Sequence, residues 1–506
     1  MTLIALLYSV VACWLAFYAI NALFLTALFL RCRSERVAQS APDVVESELP
    51  PVTVQLPIYN EKYVATRVID AACALDYPRE RLQIQVLDDS TDETVRLIAH
   101  RVWYWQQRGI RIEHVRRPER HEYKAGALRF GMEQAIGEFI AIFDADFVPE
   151  PDWLRRTVVH FCQPWNEQLG LVQTRWSHLN ASYSPLTRAQ TLALDGHFGV
   201  EQPARAWNGL LFNFNGTAGL WRRSCIEAAG GWSGNTLSED LDLSYRAQLC
   251  GWELHYDASI AAPAEIPAQI SSFKRQQFRW AKGSIQVVRQ LAGAVLLAPL
   301  SLFQKAEAFL HLTAYSVHPL MVLLLLLTLP LLWWGWPAGF ATHQALLTWA
   351  SIAGLGAPIL YAVAQATLYG MSEGIGRYRW MPLLVLLGSG VALSNSRAVL
   401  EGLLSTPGGE FRRTPKFRLE GHKGSWQGSD YALGVDWTIV GELILAVYAL
   451  LSCLVATWKG QWFALPFLLL YLLAFAWVGG LSLWQAYTTG RPNTTIRQPL
   501  HWLEQQ

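Results

Sequence analysis

The chain has 506 residues, 52% of them hydrophobic and only 16% charged, with a net charge of +1. That balance leaves room for a catalytic domain plus a membrane region, and it offers no positive field for a nucleic-acid partner. The seven cysteines are scattered with no C-x-x-C pair, which argues against a disulfide framework or a cysteine zinc site.

The first segment, Leu3 to Leu30, is apolar for longer than a signal-peptide core and has no basic residue before it. It is expected to be a retained spanning helix. Arg31, Arg33 and Arg36 follow at once, which puts that end in the cytosol and the N-terminus outside.

From about residue 50 to 290 the pattern is that of a soluble α/β domain. Val52, Val54 and Leu56 alternate as on a strand, as do Ile84 and Val86, and Phe139 to Phe143 is a short buried run. Val95, Ile98, Val102 and Trp105 recur at helical spacing, with Ser90 and Glu93 as an expected capping box and Gly109 as a stop. Alternating strands and helices predict a parallel sheet with ligands collecting at the strands' carboxyl ends. A surface helix is expected over 270–290.

The last third carries four long apolar segments, near 314–336, 345–369, 437–458 and 462–487. Residues 380–404 hold only about a dozen apolar residues in a row, so they are expected to lie on the cytosolic surface rather than cross. The expected organisation is an N-terminal helix (1–31), a catalytic domain (50–270), interfacial helices (271–312) and two spans (313–370). An interfacial helix with a loop (380–430), two further spans (436–488) and a cytosolic tail (489–506) follow. Asp436 and Glu442 fall at the start of a span and inside it, where an ionisable group needs a cavity or a partner helix. The 23 tryptophans suit membrane interfaces or stacking on sugar rings.

Four acidic motifs fall at expected strand ends: Pro57-Ile58-Tyr59-Asn60-Glu61, Leu87-Asp88-Asp89-Ser90, Asp144-Ala145-Asp146 and Ser238-Glu239-Asp240. Each alone has a bland reading as a helix cap or a chance pair; their order carries the signal. Breaking a glycosidic bond to a nucleotide diphosphate releases several negative charges, which a divalent cation can neutralise. Asp144 and Asp146 can share the nucleotide and a hard cation, Mg²⁺ or Mn²⁺. Asp88 and Asp89 suit the base and ribose, and Lys124 the phosphates. Asp240 is the candidate general base for the acceptor hydroxyl. In Gln276-Gln277-Phe278-Arg279-Trp280, Arg279 can clamp pyrophosphate and Trp280 can stack on the acceptor sugar.

This ordered set, D-D, D-x-D, E-D and Q-x-x-R-W, resembles the family 2 inverting glycosyltransferases, specifically the cellulose synthase-like and glucomannan (mannan) synthase-like branch. The resemblance covers about 50–420. It implies an α/β fold: a GT-A type, Rossmann-like nucleotide-sugar domain inserted between transmembrane helices, with a C-terminal helical membrane bundle. It places Tyr59, Glu61 and Gln276 with the donor and Glu239 beside the catalytic Asp240. Phe214-Asn215-Gly216-Thr217-Ala218-Gly219 resembles that branch's acceptor loop. Phe411-Arg412-Arg413-Thr414-Pro415-Lys416 resembles its gating loop, F-x-V-T-x-K, with Phe411, Thr414 and Lys416 matching and Arg413 in the valine position. Ser238 stands where the family has Thr.

The resemblance implies transfer of a hexose from UDP-glucose or GDP-mannose to a growing polysaccharide, exported through the chain's own membrane bundle in a bacterial inner membrane. With about 19 residues after the last span, no fused regulatory nucleotide-binding domain is expected. Two other readings fit parts of the pattern: single-sugar transfer to a membrane lipid, as in ceramide glucosyltransferase-like enzymes, and a transporter with a vestigial cytosolic domain.

Overall fold

The computed structural model describes residues 1–36, 49–163, 166–337, 352–405, 408–434 and 436–489. Its centre is a seven-stranded sheet. The strands are β1 (Val52–Ile58), β2 (Leu82–Asp88), β3 (Ile112–Val115), β4 (Phe139–Ile142), β5 (Leu169–His178), β6 (Gly219–Arg222) and β7 (Glu253–Ala264). They lie in the order β3-β2-β1-β4-β6-β5-β7. β1 to β4 pair in parallel, β6 runs antiparallel to β4 and β5, and β7 is parallel to β5.

Side chains of successive strand residues alternate between two apolar layers, so both faces of the sheet are covered. Phe139 and Ala141 join Val52, Val54, Ile84 and Val86 on one face, while Ile140 and Ile142 join Leu87, Leu171 and Leu128 on the other. β4 reads as a continuous apolar run, whereas β1 and β2 alternate with buried Thr53, Gln55, Gln83 and Gln85, which hydrogen-bond between the strands. All three end at the carboxyl side where the acidic motifs begin.

The expected capping box does not form. The helix runs Thr94–Gln106 with Glu93 at its cap position, and its Thr94 amide donates to Asp92. Ser90 instead ties two strand ends together: its hydroxyl accepts from the Asn60 amide and its own amide donates to Asp88. The stop at Gly109 is present, with φ of 76°.

Among the described residues, four helices are long and apolar enough to cross a membrane: Thr2–Arg33, Ala314–Trp334, Thr438–Trp458 and Trp462–Thr489. Met381–Gly390 and Ala392–Leu404 form a pair bent by 46° that would make a fifth only if taken as one broken span. The apolar segment expected at 345–369 lies partly outside the described residues. Its described part belongs to the helix Gly356–Tyr378, which breaks at Gly370 and is not among the four.

The expected surface helix is longer than its sequence pattern, spanning Ile270–Leu297, and it packs on Ala392–Leu404. Membrane and α/β regions share packing. Leu25 and Phe29 of the N-terminal helix are buried with Val200, Ala204 and Leu360. Glu442 has a partner rather than a cavity: its carboxylate lies 2.7 Å from Lys274 Nζ, and both side chains are buried.

Candidate active site

At the carboxyl ends of β1, β2 and β4 a cleft encloses about 1250 Å³ of space, open solvent included. Of the residues singled out from sequence, Tyr59, Glu61, Asp89, Lys124, Asp144, Asp146, Asn215, Gly216, Glu239 and Asp240 line it. So do Gln276, Arg279, Trp280, Phe411, Thr414 and Lys416.

Three do not reach it. Phe214 is fully buried between Trp221 and Trp232 and belongs to the core, which corrects its expected acceptor role. Thr217 is also fully buried, and its hydroxyl accepts from the Asp144 amide, so it fixes the strand-end turn instead of touching a sugar. Asp88 is consumed within the fold by His114 and Ser90. Burial works against its ionisation, but those hydrogen bonds win and hold its carboxyl below the usual range.

One wall comes from the sheet. Asp89 accepts two hydrogen bonds from Arg117, at 2.8 and 2.6 Å, which aims its carboxylate by a rigid fork. Arg120, unremarked in the sequence, lies 3.4 Å over the Tyr59 ring, and burial lowers its pKa. Lys124 Nζ reaches Asp144 Oδ1 at 2.5 Å and the Gly216 carbonyl at 2.8 Å, with Glu239 at 3.9 Å. Burial alone would lower its pKa, yet Asp144 and Glu239 outweigh burial and raise it, so the ammonium is secured.

Glu239 and Asp240 sit at the start of the helix Glu239–Leu249. Gly216, at φ of 82°, passes so close that a Cβ there would lie 2.8 Å from Asp240 Oδ2, which is why the loop needs glycine at that point. On the other side, a Cβ on Gly283 would lie 2.1 Å from the Ser238 hydroxyl, so the helix carrying Arg279 and Trp280 rests directly on this motif. Burial, then the Glu239 charge, pushes the Asp240 carboxyl up to about 7.

The opposite wall is the segment 411–419. Lys416 Nζ donates to Asp146 at 2.6 Å and to the Glu265 carbonyl at 2.7 Å. Glu265, at the end of β7, accepts from the Phe417 and Leu419 amides at 2.8 and 3.0 Å and lies 3.6 Å from Arg67. Burial raises its pKa. Arg413, in the valine position of the loop pattern, lies 3.3 Å from Glu61 and 4.0 Å over the Tyr431 ring. Burial pushes Glu61 up to about 8 despite Arg413. Phe411 lies under the Arg279 guanidinium at 4.6 Å.

Sequence reasoning missed Arg120, Arg413's pairing and Glu265. Only Arg413 carried a signal, as the departure from the loop pattern. Among the described residues, all five non-glycine positions with left-handed φ (Asn60, Glu122, Tyr123, Ala218 and Arg418) lie within two residues of a cleft-lining residue. Backbone held in such conformations clusters at functional sites.

The expected parallel sheet is in fact mixed, because β6 runs against β4 and β5. Carboxylates at its strand ends, facing the start of the helix Glu239–Leu249 and a basic helix, define a nucleotide-sugar transferase fold. Residues 50–283 match the model of glycosyltransferase-like family 2, so this stretch carries a domain of that family. It is 37% identical over 374 residues to a probable glucomannan 4-beta-mannosyltransferase 2 of Oryza sativa subsp. japonica, covering 72% of this chain and 62% of that one. It is 44% identical over 280 residues to the probable glucomannan 4-beta-mannosyltransferase 7 of the same plant, covering 54% and 48%. The chain thus spans about half to three fifths of the length of these curated relatives. Among solved structures, the mannosyltransferase PcManGT from Pyrobaculum calidifontis, in complex with GDP-Man and Mn²⁺, aligns with a TM-score of 0.47 at 20% identity. That alignment covers 78% of this chain and 99% of that one. The four apolar helices make this a membrane protein; the relatives are plant proteins, so the expected bacterial inner membrane has no support.

Proposed function

We propose that this chain transfers a hexose from a nucleotide sugar, with inversion, to the end of a growing polysaccharide. The names of its relatives favour a mannosyl donor such as GDP-mannose and a β-1,4-linked product over UDP-glucose. The observation that carries the reading is the convergence of Asp144, Asp146, Glu239 and Asp240 on one cleft, with Lys124 between Asp144 and Glu239 and Gly216 against Asp240.

In the proposed reaction the acceptor hydroxyl attacks the anomeric carbon from the face opposite the leaving nucleoside diphosphate. Asp240 takes the hydroxyl proton, and a carboxyl with a pKa near neutrality suits that task. Arg279 and Lys124 stand ready for phosphate oxygens, and Trp280 offers a flat face to the acceptor sugar.

A divalent cation fits the donor set. Asp144 and Asp146 each give one oxygen to a lysine and keep a second with acceptor capacity, and both are hard ligands. Mg²⁺ or Mn²⁺ held there would neutralise the diphosphate as it leaves. Membranes containing the protein, incubated with a panel of radiolabelled nucleotide sugars, should yield a sized polymer from one of them. Chelation should stop turnover, and Mg²⁺ or Mn²⁺ should restore it. A product of one sugar on an organic-extractable lipid would replace the polymer reading by the lipid one.

A further inference from the structure

A second constellation lies on the edge strand β7, away from the cleft. Tyr256 is buried on one face of this strand with Phe198 and Phe212. Alternation therefore sends His255 and Asp257 to the other face. There they meet His160, which follows the helix Trp153–Val158. The donor atoms of His160, His255 and Asp257 all lie within 4.8 Å of one another. His160 Nε2 is 2.9 Å from Asp257 Oδ2, and the two imidazole centroids are 4.6 Å apart.

Two features show that the carboxylate is held for this position. Asp257 Oδ1 accepts from the Ser259 amide at 2.8 Å and the Ser259 hydroxyl at 2.6 Å, leaving Oδ2 as the oxygen turned to the histidine. Outer hydrogen bonds of this kind orient ligating carboxylates in metal sites. The strand also bulges here: Thr174 pairs with Asp257 but Arg175 pairs with Ala261, so residues 258–260 bow out of the ladder. Bulges at sheet edges re-aim side chains. Burial opposes ionisation of Asp257, yet His160 and Ser259 outweigh it and hold the carboxyl well below its usual range.

We propose that His160, His255 and Asp257 bind a divalent transition-metal ion through two imidazole nitrogens and one carboxylate oxygen, with water completing its shell. Two nitrogens and one oxygen suit Zn²⁺ or Co²⁺, whereas the all-oxygen pair Asp144 and Asp146 suits Mg²⁺ or Mn²⁺. The ion would fasten residues 97 apart in the chain, pinning the end of the helix 153–158 to an exposed sheet edge. The strand's other end, at Ala264, borders the cleft on the order of 20 Å away, so the ion acts on stability rather than on the transferred sugar.

The test uses the full-length protein in detergent, stripped with chelator and freed of it. Titration with Co²⁺ should give a visible absorption band that saturates at one equivalent and is abolished by Zn²⁺, and Zn²⁺ should raise the thermal midpoint. Asp257→Asn and His255→Ala remove ligands, so each should weaken Co²⁺ binding by at least what losing an outer hydrogen-bond partner costs, about 10–100-fold, while leaving nucleotide binding at the cleft unchanged. No band and no thermal shift in the parent protein would overturn the site. So would undiminished Co²⁺ binding in the variants, or equal stabilisation by Mg²⁺. If His255→Ala does not fold, the nearly isosteric Asp257→Asn and the parent titration decide.

Discussion

The two walls of the cleft are built by different means. The sheet wall hangs its residues on strand ends: Asp89 follows β2 and Asp144 follows β4, each placed by the register of a buried parallel ladder. The opposite wall, residues 411–419, belongs to no helix or strand and is held by side chains from elsewhere, Glu265 on its amides and Asp146 on Lys416. A ladder fixes position through many backbone bonds, whereas the strap depends on a few buried charges. The sheet wall should therefore tolerate single substitutions without shifting, and the strap should not.

The largest effect should come from the chemistry between the two walls, at the helix start that carries Asp240. Asp240→Asn should lower turnover by about 10²–10⁴-fold while nucleotide binding is kept, because the acceptor proton then has no base. Turnover within tenfold of the parent would remove Asp240 from that role.

Next is a contrast in the membrane region. Glu442→Leu should leave Lys274 buried and unpaired and destabilise the protein by about 3–5 kcal/mol. The double change Lys274→Met with Glu442→Leu should recover much of that loss, read by thermal unfolding in detergent.

The strap itself is sharpened by Glu265→Gln. Losing the charge under the Phe417 and Leu419 amides should cost about 1–3 kcal/mol locally. It should be seen as faster proteolysis within 411–419 and a raised KM for the donor, with the sheet wall's nucleotide contacts intact. An unchanged cleavage rate would mean that Lys416 alone holds the segment.

The smallest effect is one of pH. The base form of Asp240 is the deprotonated one, and its carboxyl is raised to about 7, so turnover should climb with pH through that value and level off above it. In Asp240→Asn the residual rate should lose this limb. A flat profile between pH 6 and 8 in the parent, at roughly one unit either side, would detach the titration from catalysis.

The sequence by itself determined a good deal. The apolar run at 139–143 is dictated by burial on both sheet faces and the alternation of Val52, Val54 and Leu56 by burial against one apolar layer, and the motifs that follow them had to emerge at one edge. Apolar length alone marked the N-terminal helix and three of the later ones. Tertiary structure decided which motif residues face the cleft. Phe214 and Thr217 sit beside Asn215 and Gly216 in the chain, yet they turn into the core, because a loop crossing a packed layer must bury part of itself. Likewise Asp88 and Asp89 are adjacent, but strand alternation sends one toward His114 and the other to the cleft. The pairings of Glu61 with Arg413, Asp146 with Lys416 and Glu442 with Lys274 join residues that no local pattern relates. They were settled only when folding buried the charges together, since a charge withdrawn from water must find its counter-charge wherever the fold brings one near.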